Sequence, residues 1–338
     1  MMSLKFPNKF PFILLMMVLL LSAAIGLFFY GPFGYCVPGK RDADISVIIR
    51  SQTSSLDIAK QLTDAKILPT PWIFLVGHKL SFVPKKLRAG EYLIAKDASP
   101  LDIARQMDDG RTVIRKLTIP EGYTVAQIIS LLFSTDTLSG TITSIPREGS
   151  LLPETYLYSY GEDRRTIIKR LENAMTAEIA RLWACRQSDD GLIRDPSDAL
   201  TLASIIEKET AVACERKKVA GVFTNRLKLG MRLQSDPTVI YAITAGTALL
   251  GRPLKKSDLL YFSPYNTYVY GGLPPNPIAC PSKASIEAAL NPDKTDALYF
   301  VADGSGGHAF SKTLDEHNRR VSAWRKLVKI QGKNNERN

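Results

Sequence analysis

Residues 195–213 read DPSDALTLASIIEKETAVA, and this stretch decides what kind of body the chain builds. Asp195-Pro196-Ser197 is a helix-start signal, with a short polar side chain just ahead of a proline in the first turn. The residues that follow are apolar at almost every position as far as Ile206. They make an apolar helix that carries two carboxylates, Glu207 and Glu209. Upstream, residues 165–183 (RTIIKRLENAMTAEIARLW) form a long amphipathic helix. Downstream, Glu215 to Leu229 form a third helix, with Gly230 in the residue type that closes helices. Residues 299–319 (YFVADGSGGHAFSKTLDEHNR) then read as a buried strand, a glycine-rich hairpin and a helix. Helices and strands therefore share one large α+β domain, which starts near Pro120-Glu121-Gly122 and covers 119–330. The last residues, 331–338, form a polar tail expected to fray.

A smaller α+β unit precedes it at 44–118. ISVIIR (45–50) alternates as a strand, and Ser54-Ser55 caps a helix with apolar positions at Leu56, Ala59, Leu62 and Ile67. WIFLVGHKL is a second helix, and the Arg88-to-Ile94 segment returns as a strand. Ser99-Pro100 starts another helix, and TVIRKLTIP is a further strand. A β-α-α-β order of this kind resembles LysM-like carbohydrate-binding modules, although a small packing domain without ligand has the same order.

Residues 11–34 (PFILLMMVLLLSAAIGLFFYGPFG) contain no charge. About 20 apolar residues span a bilayer core as a helix. Lys5 and Lys9 precede the run, so residues 1–10 are expected as a cytoplasmic tail and the body as exported. Tyr30 and Tyr35 stand where interfacial aromatics belong. Ser22-Ala23-Ala24 offers small residues for a signal-peptide cut, but the apolar run continues beyond them, which favours an uncleaved anchor. Cys36 lacks the small-residue pair that a lipoprotein site prefers.

The chain has 338 residues and a formal net charge of +11. Its basic residues come in scattered pairs such as Lys85-Lys86, Arg164-Arg165 and Lys255-Lys256, not in one stripe. That argues against a nucleic-acid site and suits a solvated basic surface or an anionic polymer. Cys36, Cys185, Cys214 and Cys280 form no C-x-x-C pair, so zinc spacing is absent and no disulfide pairing is fixed. No metal or cofactor is called for. Asp303-Gly-Ser-Gly-Gly307 lacks the G-K-[ST] ending of a phosphate loop, and His308 has no nucleophile partner in the sequence.

A carboxyl group in a low-dielectric setting favours its protonated form, as a general acid requires. Glycoside hydrolysis usually takes two carboxylates flanking the bond. Glu207 and Glu209 are two apart on a helix and point about 200° apart, so they do not both face one bond. A lone acid/base suits a reaction in which an internal sugar hydroxyl, and not water, closes a ring. On residues alone, salt bridges to Lys208 and Arg216 account for these glutamates better than catalysis does. Asp236-Pro237 reads as a helix cap, whereas Gln234 has no cap role. Residues 263–282 (SPYNTYVYGGLPPNPIACPS) form a long loop rich in Pro, Gly, Tyr and amide, unusual unless functional.

ASIIEKET, NRLKLGMRLQSDPTVIYA, SPYNTYVYGGLPPNPIACPS and YFVADGSGGHAFSKTLDEHNR, together with IPEGYTVAQI and GSLLPETYLY, resemble the endolytic murein transglycosylase family (MltG, YceG-like). The resemblance implies a single-pass protein of the bacterial inner (cytoplasmic) membrane with a LysM-like subdomain and a periplasmic α+β catalytic domain. It implies cleavage of the MurNAc–GlcNAc bond in nascent peptidoglycan, leaving 1,6-anhydro ends, without a cofactor. It also implies peptidoglycan glycan strands, the inner membrane and cell-wall synthases as partners. The family's catalytic Glu falls on Glu207, and Gln234, Asp236 and Asn266 fall in blocks expected to line the substrate cleft. The competing expectation is a non-catalytic, membrane-anchored peptidoglycan-binding scaffold. A cytosolic pyridoxal-phosphate lyase fits neither the apolar N-terminus nor the lack of a cofactor-lysine context.

Overall fold

The computed structural model describes residues 10–30, 32–80, 86–186 and 191–335. The expected cytoplasmic tail lies outside them except for Phe10, as do Lys5 and Lys9. The chain divides into two compact units, Met1–Arg115 with Leu157–Glu162, and Lys116–Tyr156 with Asp163–Asn338.

The first unit opens with α1 (Phe10–Tyr30) and α2 (Pro32–Cys36). The side chains from Leu14 to Leu21 are all more than half exposed. Among the described residues no helix is long and apolar enough to cross a membrane. Tyr35, expected at a membrane interface, instead packs into this unit's core, edge-on to Phe74 at 6.4 Å. A Cβ on Gly77 would lie 2.2 Å from that ring, so the contact needs a glycine there.

Next come β1 (Ile45–Ile49), α3 (Ser55–Asp64), α4 (Pro71–Leu80), β2 (Gly90–Ile94) and α5 (Pro100–Asp109), in the order read from the sequence. β1 and β2 are antiparallel, with Ile45 opposite Ile94 and Ile49 opposite Gly90. Alternation sends Val47 and Ile49 inward, where they join Ile58, Leu62, Phe74, Tyr92, Ile94, Ile103 and Met107. Ser54 caps α3, and Ser99 with Asp102 forms a reciprocal capping box on α5. A cavity of about 970 Å³ lined by Val37, Arg41, Ile67 and Leu68 lies in this unit. The Arg41 guanidinium is spent there on the carbonyls of Ile67, Ala95 and Ala98.

The chain leaves this unit within β3 (Ile114–Thr118), which pairs with β4 (Thr155–Ser159). The second unit contains α6 (Val125–Ser134), α7 (Arg164–Ala184), α8 (Pro196–Glu209), α9 (Arg216–Lys228), α10 (Asp236–Thr244) and α11 (Lys283–Leu290). The antiparallel pair β5 (Tyr299–Ala302) and β6 (His308–Ser311) follows, and then α12 (Leu314–Asn335). α12 runs through most of the stretch read as a fraying tail, as far as Asn335. β5, expected as a buried strand, is half-buried along its length. Arg164, expected on a solvated surface, is buried and bonds the carbonyls of Leu132, Thr135 and Gly140.

α8 is the axis of this unit. Asp195 accepts from the amides of Ser197 and Asp198, with Pro196 opening the helix. Leu202, Ile205 and Ile206 are fully buried among residues of α7, α9 and α11. Full burial of each contributes about 1.5–3 kcal/mol. The apolar sequence thus places the helix at the core's centre and brings its last turn, with Glu207 and Glu209, out at one end.

Candidate active site

Glu207 leaves the buried part of α8 toward the segments around Gly122 and Ser282. Its Oε2 accepts two bonds from Ser282, from the amide at 2.9 Å and from the hydroxyl at 2.5 Å. Ser282 is also the cap of α11, accepting from the Ser285 amide. The carboxylate therefore sits at a helix N-terminus, where the backbone dipole favours negative charge. Oε1 lies 3.7 Å from the guanidinium of Arg216, which is 3.3 Å from Glu121. The Glu207 side chain is only 5% exposed. Around it, Gly122 donates to the Cys280 carbonyl and Cys280 donates to that of Tyr123. Gly122 has φ +70°, and a Cβ there would touch the Glu207 side chain at 3.4 Å. The turn therefore closes over the carboxylate without a side chain of its own.

Glu209, two residues on, meets different chemistry. Its Oε1 accepts a 2.5 Å bond from the Ser235 hydroxyl. Burial, and next the charge of Asp236, push this carboxyl up to about 7, while the Ser235 bond, His308 and Arg226 pull the other way. The expected angular separation is visible in the partners: Ser282 and Arg216 for one glutamate, Ser235 for the other.

Gln234 and Asp236 flank the inward-facing Ser235 with exposed side chains. Gln234 has φ +53°, a conformation uncommon outside glycine, and its amide donates to the Thr267 carbonyl. Asp236 does not cap α10 as the sequence suggested. Ser235 holds the cap position, with no side-chain cap bond, and Asp236 is the first helical residue. Its Oδ1 instead accepts a 2.6 Å bond from the Tyr268 hydroxyl. Asn266, expected to line the cleft, is fully enclosed. Its amide nitrogen donates to the carbonyls of Leu259 and Tyr261, and its oxygen accepts from the Tyr268 amide. It therefore fixes the loop and offers no free group to a ligand. Among the described residues no hydrogen bond joins Glu207 to Gln234, Asp236 or Asn266.

Two pairings were not legible in the sequence. His308 has a carboxylate partner: its Nδ1 lies 2.7 Å from Glu215, which also accepts from its amide. Glu148 accepts from the Val125 amide and the Tyr241 hydroxyl, 3.9 Å from the Cys280 sulfur. Burial pushes Glu148 up and the Cys280 thiol up to about 12, so this cysteine is an inert core residue. Among the described residues all four cysteines are free, and no cluster of His, Cys, Asp and Glu is placed to hold a metal.

The model of the YceG-like family matches residues 47–323. The endolytic murein transglycosylase of Bacillus subtilis is 45% identical over 175 residues, 52% of this chain and 47% of that protein. That of Streptococcus pneumoniae is 30% identical over 303 residues, 73% of this chain and 54% of that protein. The chain thus spans about half the length of the curated relatives it matches. The crystal structure of a yceG-like protein from Listeria monocytogenes is 34% identical, with a TM-score of 0.50, covering 82% of this chain and 98% of that one. The α+β body built around α8 and the family match over most of its length lead to one assignment: the chain belongs to the YceG-like family.

Proposed function

We propose that this protein is an endolytic lytic transglycosylase that cuts MurNAc–GlcNAc bonds in peptidoglycan strands, with Glu207 as its one acid/base residue. The observation that carries the reading is the setting of Glu207 at the end of α8, against Ser282 at the N-terminus of α11. The protonated group gives its proton to the glycosidic oxygen as the bond to C1 of MurNAc breaks. The carboxylate so formed is stabilised by the Ser282 amide and hydroxyl and by Arg216. It then takes the proton of the sugar's 6-hydroxyl as that oxygen bonds to C1, which closes the 1,6-anhydro ring and consumes no water. Glu209 is turned to Ser235 and does not share the setting of Glu207, and the neighbouring carboxylate, Glu121, is bound to Arg216. Gln234 and Asp236 contact the glycan. Residues 11–34 anchor the chain once in the bacterial inner membrane, with the N-terminus cytoplasmic, the body periplasmic and the LysM-like unit and cell-wall synthases nearby. The names of the relatives and the uncharged apolar run support this reading.

The enclosure of Glu207 beside Arg216 favours a second reading, a non-catalytic peptidoglycan-binding scaffold whose Glu207 is structural. Mass analysis of sugars released from glycan strands by the full chain separates the two. Anhydromuramyl ends from the wild type, absent with Glu207→Gln, support the enzyme. Hydrated reducing ends would overturn the ring-closing mechanism. A Glu207→Gln chain that releases the same products, or fully replaces the wild type in cells, would overturn the role of Glu207.

A further inference from the structure

Ser235 occupies the position that would cap α10, yet its hydroxyl is turned inward onto Glu209. That inward turn has a backbone consequence. Gln234 is held at φ +53°, costly for a residue with a side chain unless its surroundings impose it. Here they do: Thr267 accepts from the Gln234 amide with its carbonyl and from the Ser235 amide with its hydroxyl. Thr238 donates to the Ser235 carbonyl and shares a 2.8 Å bond with the Thr267 hydroxyl. The result is a fixed turn with its middle residue down and the side chains of Gln234 and Asp236 exposed.

We propose that Glu209 is a positioning residue of the glycan site, which through Ser235 fixes the turn that presents Gln234 and Asp236 to the strand. The proposal rests on the transglycosylase reading and names a second glutamate with a different task. Glu209 stands below the turn and holds its middle residue through the Ser235 hydroxyl. The charged and titratable groups that face it are Asp236 from α10, Tyr268 from the following loop, Arg226 from α9 and His308 from β6. Both cations are already engaged, Arg226 with the carbonyls of Leu298 and Leu233 and His308 with Glu215. The Tyr268 hydroxyl is spent on Asp236. Ionised Glu209 puts a second negative charge beside Asp236, which the Ser235 hydroxyl and the charges of His308 and Arg226 offset only in part against the cost of burial. Burial and the charge of Asp236 push this carboxyl up to about 7, so the turn is expected to loosen as pH rises through neutrality.

The test is the pH dependence of KM and kcat for the full chain in detergent on purified glycan strands, from pH 5.5 to 8.5. Wild-type KM is expected to rise about tenfold across that range, the size of one like-charge contact, with kcat changing much less. Glu209→Gln keeps an acceptor for Ser235 and cannot ionise, so its KM stays low and flat. Glu209→Leu and Ser235→Ala break the link and raise KM at every pH. An alkaline rise in Glu209→Gln equal to that of the wild type overturns the proposal, as does Ser235→Ala with wild-type KM. Loss of kcat at all pH values in a folded Glu209→Gln also overturns it, because the residue would then be catalytic. Measuring the Kd for intact strands in a Glu207→Gln background repeats the comparison without turnover. Failure of the role given to Glu207 is thus separable from failure of the role given to Glu209.

Discussion

Glu207 and Glu209 differ by two positions and by almost everything else, because a helix turns about 100° per residue and the two sides of α8 face different neighbours. The spacing made that divergence legible in advance. The neighbours were not legible, since Ser282 lies 75 residues from Glu207 and Ser235 lies 26 from Glu209. Asn266 shows the same limit. An amide in a loop of Pro, Gly and Tyr reads as a sugar ligand, but whether it faces out or in depends on where the loop folds back. Ser282 is the most informative single residue to change, because its hydroxyl both donates to Glu207 and caps α11. Ser282→Ala should cost about 0.5–2 kcal/mol through the lost cap, read from the denaturation midpoint. It should also lower the rate of strand cleavage, and Ser282→Thr, which keeps the hydroxyl, should restore both. An alanine variant with unchanged stability and unchanged rate would leave Ser282 with neither task.

At the level of elements, the starts of helices were the clearest signals. Ser54, Ser99 and Asp195 accept from first-turn amides where the sequence put them. A cap is a local bond among four residues, so local sequence suffices to find it. α10 broke the rule because a distant residue competed: Ser235 gives its hydroxyl to Glu209, and Asp236 is bound by Tyr268. The β-α-α-β order of the first unit was legible from alternation followed by helical spacing. The turn at Asp258–Leu260 was not, because Asn266 holds it from several residues away. Asn266→Ala deprives the carbonyls of Leu259 and Tyr261 of their donor, a loss of about 1–3 kcal/mol for the buried group. Hydrogen exchange should accelerate across 257–270 while the amides of α8 keep their protection. Unchanged exchange in that segment would mean that the loop is held by other contacts.

Over the whole molecule, the apolar residues of α8 located the core, while the charges now set its response to pH. Asp163 and Asp258 are half-buried and held down to about 2, first by hydrogen bonds from Arg165 and Arg252 respectively. Whatever they contribute is present above the ordinary carboxylate range and fades only in strong acid. Glu148 and Glu209 act in the opposite sense, because burial raises both. Between about 4.5 and 7 the folded chain keeps a proton on Glu209 that the unfolded chain releases. Stability therefore falls as pH rises through that window, by on the order of 3 kcal/mol for Glu209 at full effect. The stabilisation is complete below the unfolded value and gone above the folded one. Urea denaturation of the full chain in detergent at pH 5 and pH 8 reads this directly. The wild-type midpoint should drop between the two, and Glu209→Gln, with nothing to ionise at that position, should drop less. The variant should then match the wild type at pH 5 and exceed it at pH 8. Parallel pH dependences in the two proteins would show that Glu209 ionises in the folded chain no later than in the unfolded one, and both its burial energetics and its task beneath the Gln234–Asp236 turn would fall together.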